Sequence, residues 1–387
     1  MIQPLAAGVI GAVTGFASSF AIVIAGLQAV GATPAQAASG LLVLCIGQGV
    51  LAVLLSWRTR LPLSFAWSTP GAAVLVSAHA VTGDFRAAVG AFLVCGVLIL
   101  ATGLWPWLRR TVVRIPRPVG SAMLAGILFP ICIAPVTASI EIPLLALPVV
   151  GVWLVLVRLA PRWAVPAAMV VAAVGIGMTA GGDWLVGDGV APRVEFVVPV
   201  FDPLVIVSLG LPLYIVTMAG QNVPGFAVLT TLGYDDPPAR AVLVGSGAVT
   251  AFGSVFGAHA VNLAALSAAI MAGPDAHPDR SRRWIAAVSG GVVYLALGLA
   301  AGLASALVAA APPVLITAVA GLALLSALIA AVVAALEEAE HRIAAIATFL
   351  VVASGVTIAG IGSSFWGLVV GGVVMAWLGW GRRRLSR

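Results

Sequence analysis

Apolar runs of about twenty residues recur along this chain from about residue 6 to residue 380, and within them the apolar positions are continuous rather than alternating. A helix needs ~20 such residues to cross ~30 Å of hydrocarbon. Lipid offers no partner to a free backbone group, so continuous runs predict helices and not the alternating strands of a barrel. Arg, Pro and Gly cluster at the breaks. They divide the pattern into fourteen helices at about 6–30, 34–56, 62–81, 86–105, 118–135, 140–158, 162–180, 204–231, 238–256, 258–273, 283–303, 312–335, 341–360 and 362–380.

Two of these segments are too short to span. After Pro70 about twelve apolar residues remain before Thr82, Gly83 and Asp84, which gives ~18 Å at 1.5 Å per residue. Ser68, Thr69 and Pro70 read as a hydroxyl cap followed by the proline that opens a helix. Between Pro238 and Pro274 lie about 35 residues, where two spans and a turn need more than ~40. "FGSVFGAHA" supplies a flexible break there, and Val261–Met271 is the predicted short helix, with His259 and Asn262 at its start. Interrupted segments at matching places in two halves point to a binding site near the midplane, and helix starts suit an anion.

The longest polar connection, 181–203, separates residues 1–180 from 204–387, with seven predicted segments on each side. An odd number per half makes the halves inverted repeats. They echo one another weakly: "GLQAVGATPAQA" (26–37) and "VLTTLGYDDPPARA" (228–241) share a glycine, a polar turn, proline and alanine.

Composition supports the membrane reading. The chain is 62% hydrophobic and 8% charged, against about 25% charged for a soluble domain. The N-terminal "MIQPLAAGVIGAVTGF" has no basic leader and reads as a first membrane helix. Net charge is +6 and every one of the 19 basic residues is arginine. All but Arg86 and Arg193 fall on the side of the predicted topology that holds both termini, which makes that side cytoplasmic and accounts for the charge without nucleic acid. Cys45, Cys95 and Cys132 lie in apolar runs and read as small buried hydrophobes.

All 13 acidic residues fall in loops or at helix ends. The polar residues inside the spans are few, and such residues face a bundle interior or a cavity. The adjacent amides Gln221 and Asn222 in "MAGQNVPG", and His259 three residues before Asn262, are the first candidates for a site. Ser68 and Thr69 combine capping with possible substrate contact, Ser18 and Ser19 follow in "FASSF", and Gln28 and Gln48 read as packing. His79, His277 and His341 lie near helix ends or in loops, as does "EEAEHR" (337–342). There is no carboxylate pair, metal-ligand spacing or nucleophile–base pair, so no enzyme activity, metal or cofactor is expected.

"FAWSTPGAAVL" (65–75), "LPLYIVTMAGQNVPGFAVL" (211–229), "GAHAVNLAALSAAI" (257–270) and "TFLVVASGVTIAGIGSSFWGL" (348–368) resemble the benzoate/proton symporter family of bacterial inner membranes. That family is similar in fold to the uracil/xanthine permeases and the sulfate-type anion transporters. The resemblance implies an all-α polytopic protein of fourteen transmembrane segments in a 7+7 inverted repeat, with half-helices at segments 3 and 10. It implies a core of segments 1–4 and 8–11 (about 6–105 and 204–303) beside a gate of 5–7 and 12–14 (about 118–180 and 312–380). A short strand should precede each half-helix, here "PLSFAW" and "GSVFGAH", and a homodimer is possible.

The nucleobase permeases carry acidic residues on helices eight and ten where this chain has Gln221 and His259, a loss that suits an anionic substrate. The expected activity is uptake of benzoate or a related aromatic carboxylate with a proton. The carboxylate would lie between the starts of helices 3 and 10, against Ser18, Ser19, Ser68, Thr69, Gly71, Gln221, Asn222, His259, Ala260 and Asn262, with Trp67, Phe16, Phe20, Phe65 and Phe226 as ring contacts. His259, whose side chain has an ordinary pKa of about 6.5, would couple the proton. Alternatives are a carrier of a nucleobase or inorganic anion, and an uncoupled anion channel.

Overall fold

The computed structural model describes residues 2–78, 81–108, 116–180, 191, 193–264 and 266–385. Most of the predicted loop at 109–117, most of the polar stretch 181–192, His79 and the last two residues lie outside that set.

The chain begins with α1 (Ile2–Ala29) and α2 (Pro34–Thr59). Thr33 caps α2 through a reciprocal pair with Gln36, and Pro34 sits in its first turn. A three-residue strand, β1 (Phe65–Trp67), leads into the nine-residue α3 (Thr69–Ser77). Then come α4 (Phe85–Leu104), α5 (Arg117–Glu141), α6 (Pro143–Leu159) and α7 (Ala164–Ala180). The helix α8 runs over Pro203–Thr231. It is followed by α9 (Ala239–Ser254), the strand β2 (Val261–Leu263) and the seven-residue α10 (Leu266–Ala272). The helix α11 has two arms, Trp284–Gly298 and Ala301–Ala310, bent by 58°. The chain ends with α12 (Pro313–Leu336), α13 (Arg342–Ala353) and α14 (Ser363–Leu385). Among the described residues seven helices are long and apolar enough to cross a membrane, or eight when the two arms of α11 count as one. The protein is a mostly helical membrane protein.

The expected short segment at 258–273 needs correcting. Val261–Leu263 is strand, and the helix starts only at Leu266. His259 and Asn262 therefore precede the half-helix instead of opening it, and "GSVFGAH" is the end of α9 and the turn before the strand. The strand wins because β1 and β2 pair antiparallel, Phe65 opposite Leu263, Ala66 opposite Asn262 and Trp67 opposite Val261. Each strand finds in the other the backbone partner that lipid cannot supply. The predicted helix 341–360 also stops early, at Ala353.

Close approach of backbones organises the packing. The helices α4 and α9 cross where a Cβ on Gly96 would stand 2.4 Å from the Ala251 amide nitrogen. The helices α2 and α11 meet where one on Gly49 would stand 2.7 Å from the Gly291 carbonyl oxygen. Small residues at helix crossings are the usual means of tight packing in lipid. The helix α5 packs along α12 and α13, and α13 along α14.

The helix α8 widens into π turns at Ile206–Gly210 and Met218–Asn222. Each ends just before a proline pair of residues, Leu211-Pro212 and Val223-Pro224. Proline has no N–H to give the carbonyl four residues back and its ring crowds that carbonyl. The preceding amides instead reach five residues back, Leu211 to Ile206 and Val223 to Met218. The second π turn carries Gln221 and Asn222.

Candidate functional site

The paired strands hold the starts of α3 and α10 beside α1 and the second π turn of α8. Ladder contacts continue beyond the strands in a mirrored way: the Ser68 amide donates to Ala260 O at 2.8 Å and the Ala264 amide to Ser64 O at 2.9 Å. The Ser64 and Ser267 hydroxyls hydrogen-bond at 2.8 Å.

The N-terminal N–H groups of α3 are largely spent within the protein. Ser68 Oγ caps the helix by accepting from the Gly71 amide at 3.1 Å, Pro70 has no N–H, and the Ala72 amide bonds Ser68 O. Gly71 thus has no amide to offer, contrary to expectation. Thr69, half-buried at the first helical position, is different: neither its amide nor its hydroxyl is taken by a described residue. Ser68 is fully buried and also accepts from the Thr217 hydroxyl at 2.9 Å. Thr217 escaped the sequence reading because its partner is distant in the chain; its place four residues before Gln221 was the available signal.

Asn222 is fully buried and braces β2, its Oδ1 accepting from the Leu263 amide at 2.9 Å and its Nδ2 donating to Thr217 O at 3.4 Å. Its neighbour Gln221 is half-buried, with no side-chain bond to a described residue. The two adjacent amides therefore divide into a brace and an unspent group.

On α1, Ser18 and Ser19 both donate to Gly15 O, at 3.0 and 2.9 Å. Ser19 Oγ also accepts from Trp67 Nε1 at 2.9 Å, which fixes the indole. Trp67 meets Phe16 edge to face at 5.8 Å and Tyr294 at 6.0 Å, and Phe16 stacks on Phe20 at 5.2 Å. These four rings make a continuous aromatic wall, of which Tyr294 was not anticipated. Phe65 is buried in the general core and Phe226 packs at its edge.

His259 and Asn262 are fully buried. His259 Nδ1 lies 3.2 Å from Ala260 O, so Nδ1 must donate, and in the neutral ring Nε2 carries the lone pair. Among the described residues that Nε2 has no hydrogen-bond partner, nor does Asn262 Oδ1, whose Nδ2 donates to Leu263 O at 3.0 Å. Ala260 contributes a carbonyl here; its expected amide contact at a helix start does not apply, because α10 begins six residues later. Gln48 is fully buried, with both amide atoms unpartnered among the described residues. Of the loop histidines, His341 bonds Glu338 at 2.7 Å and His277 the Asp279 backbone.

Residues 2–377 match the family BenE, benzoate membrane transport protein. The chain belongs to that family. It is 39% identical over 372 residues to the inner membrane protein YdcO of Escherichia coli K12, covering 95% of this chain and 94% of that one. It is 30% identical to the benzoate membrane transport protein of Acinetobacter baylyi, covering 84% and 82%. Among solved structures it resembles the transmembrane domain of the cyanobacterial bicarbonate transporter BicA, with a TM-score of 0.58 at 16% identity over 96% of this chain and 98% of that one. It also resembles SLC26A9, with a TM-score of 0.59 at 14% identity over 97% and 65%. At these identities the structural likeness establishes the fold. This benzoate-family protein is therefore a multi-pass membrane transporter of the SLC26/BicA fold and not an enzyme, and membership of the family supports a benzoate-like substrate.

Proposed function

We propose that this protein is a secondary active transporter that brings benzoate or a related aromatic carboxylate into the bacterial cytoplasm together with a proton. The observation that carries the reading is the antiparallel crossing of β1 and β2, with Thr69 and Gln221 unspent beside it and the aromatic wall on α1, β1 and α11. The carboxylate binds at Thr69 and Gln221, and its ring lies against Trp67 and Phe16. Ser18 adds a half-exposed hydroxyl. Ser19, Ser68, Gly71, Asn222, Ala260 and Asn262 shape the site by holding other groups in place.

His259 is the proton carrier. Its Nε2 lone pair has no donor among the described residues, so it accepts a proton without displacing one of their hydrogen bonds. A bound carboxylate favours the resulting imidazolium, which makes proton and substrate bind cooperatively, each raising the affinity of the other by the same factor.

The architecture behind this mechanism is a 7+7 inverted repeat of fourteen segments. The packing pairs support it: exchanging helices one to seven for eight to fourteen turns the α4–α9 contact into the α11–α2 contact, and both are extensive. The mirrored bonds of Ser68 to Ala260 and Ala264 to Ser64 obey the same exchange. The core, α1–α4 with α8–α11, moves against a gate of α5–α7 and α12–α14, as an elevator or by rocking, with both termini cytoplasmic. A homodimer is compatible with this plan.

Uptake of labelled benzoate into proteoliposomes, with and without an inward proton gradient, tests the function. Accumulation only with the gradient, competed by benzoate analogues with a carboxylate but not by benzamide, is the expected result. Equilibration without accumulation would identify a channel, and transport of a nucleobase or inorganic anion in place of benzoate would identify the other carrier class. For the topology, Arg193→Cys should label from outside and Arg117→Cys only after permeabilisation.

A further inference from the structure

The segment that joins α13 to α14 is a built structure. Ile358 and Ile361 exchange both backbone hydrogen bonds at 3.0 Å, and the two residues between them, Ala359 and Gly360, have φ of 54° and 78°. Positive φ at both central positions is the signature of a two-residue type I′ turn. An alanine held there shows that the surroundings impose the shape. Trp366 Nε1 donates to Ile358 O at 3.3 Å and braces the turn from α14.

Ser208 of α8 hydrogen-bonds this miniature hairpin twice. Ser208 Oγ donates to Gly360 O at 3.3 Å and accepts from the Gly362 amide at 3.2 Å. Ser208 lies in the first π turn, four residues before Pro212, where the helix cannot keep its regular register. Beneath the hairpin is a narrow cleft lined by Val74, Ser77, Ser208, Thr357, Gly362 and Ser363, among others. Val74 and Ser77 belong to α3, so the cleft lies against the C-terminal end of that half-helix.

We propose that residues 355–362 form a clasp that closes the extracytoplasmic entrance, and that Ser208 is its latch. The inference rests on the core-and-gate reading above, because α8 then belongs to the moving core and the hairpin to the gate. A displacement of one against the other must break both Ser208 bonds. They join residues more than 150 apart in the chain, and with both termini cytoplasmic, as proposed above, they lie on the outer side.

A cross-link tests this. A Cβ built on Gly362 lies 4.0 Å from that of Ser208, inside the roughly 3.5–4.5 Å range of a disulfide. Gly362 has no left-handed φ to forbid a side chain. The double variant Ser208→Cys/Gly362→Cys should transport benzoate when reduced, lose at least about tenfold in exchange when oxidised, and recover on reduction. Undiminished exchange in fully cross-linked protein would overturn the clasp.

A second measurement needs no substrate. In Val74→Cys the new thiol lies buried under the clasp, and adding Ser208→Ala should speed its labelling by an impermeant external maleimide about three- to tenfold, the effect of losing one or two hydrogen bonds. An unchanged labelling rate would also overturn the proposal. If reduced and wild-type proteins fail to transport benzoate while labelling still responds to Ser208→Ala, the substrate reading falls and the clasp stands.

Discussion

The two half-helix starts are related by the mirrored strand bonds, yet they are built differently. At the first, Ser68 is the cap: it satisfies Gly71, receives Thr217 and is itself tied to Ala260. At the second, the position mirrored by Ser68 is Ala264, with no hydroxyl to offer. The polar groups there sit upstream, on His259 and Asn262, and two of their atoms have no partner. Buried polar atoms without partners cost free energy and are uncommon in native proteins. The first start thus has its buried hydroxyl fully engaged and leaves only the half-buried Thr69 unspent, while the second follows fully buried side-chain atoms without partners. The lesson is that two half-helix starts joined by mirrored strand bonds need not carry the same polar groups: a capping hydroxyl stands at one, and unpartnered side-chain atoms stand before the other.

The largest effect that would sharpen this contrast is at His259. His259→Gln should keep benzoate exchange but lose accumulation driven by a pH gradient, measured by counterflow and uptake in the same vesicles. A mutant that still concentrates benzoate with the wild-type dependence on the gradient would make His259 a ligand or packing group. Next is Gln221→Leu, which should weaken benzoate binding by about 1–3 kcal/mol, the cost of leaving a buried partner unpaired. Calorimetry or a thermal-shift titration reads it, and unchanged affinity would remove Gln221 from the site.

Smaller changes test the support side. Ser68→Ala removes a cap and an acceptor and should destabilise the protein by about 0.5–2 kcal/mol. Ala264→Ser, at the mirrored position, should move stability by no more than about 0.5 kcal/mol. Equal losses would erase the distinction between the two half-helix starts. Trp67→Phe keeps the ring wall but gives up the bond to Ser19, for an expected loss of about 1 kcal/mol in thermal stability and little change in coupling.

The helices were legible in the sequence because hydropathy and length suffice where lipid is the solvent. Ser68 was legible too, since a cap is written within four residues. Val261–Leu263, expected to open a short helix, is strand instead. A three-residue buried strand is only a short apolar run, and periodicity cannot separate it from helix. What decides it is β1, far away in the chain. The same distance hid Thr217 and Tyr294, whose roles come from tertiary neighbours. The adjacent amides Gln221 and Asn222 look alike in sequence, yet the π turn buries one against β2 and leaves the other half-exposed. Pro212 and Pro224 permit an irregular α8, but they do not say which neighbouring side chain the irregularity leaves without a partner.

The hydroxyl bond between Ser64 and Ser267 joins residues 203 apart, and the strand pair beside it spans nearly the same interval. A ribosome releases the first of these residues long before the second exists. Until then β1 waits in the bilayer with its backbone groups unmatched, at a cost of several kcal/mol for each group facing hydrocarbon. The first seven helices made alone would carry that open edge and become a substrate for membrane proteases, and assembly of the protein is completed only by its second half.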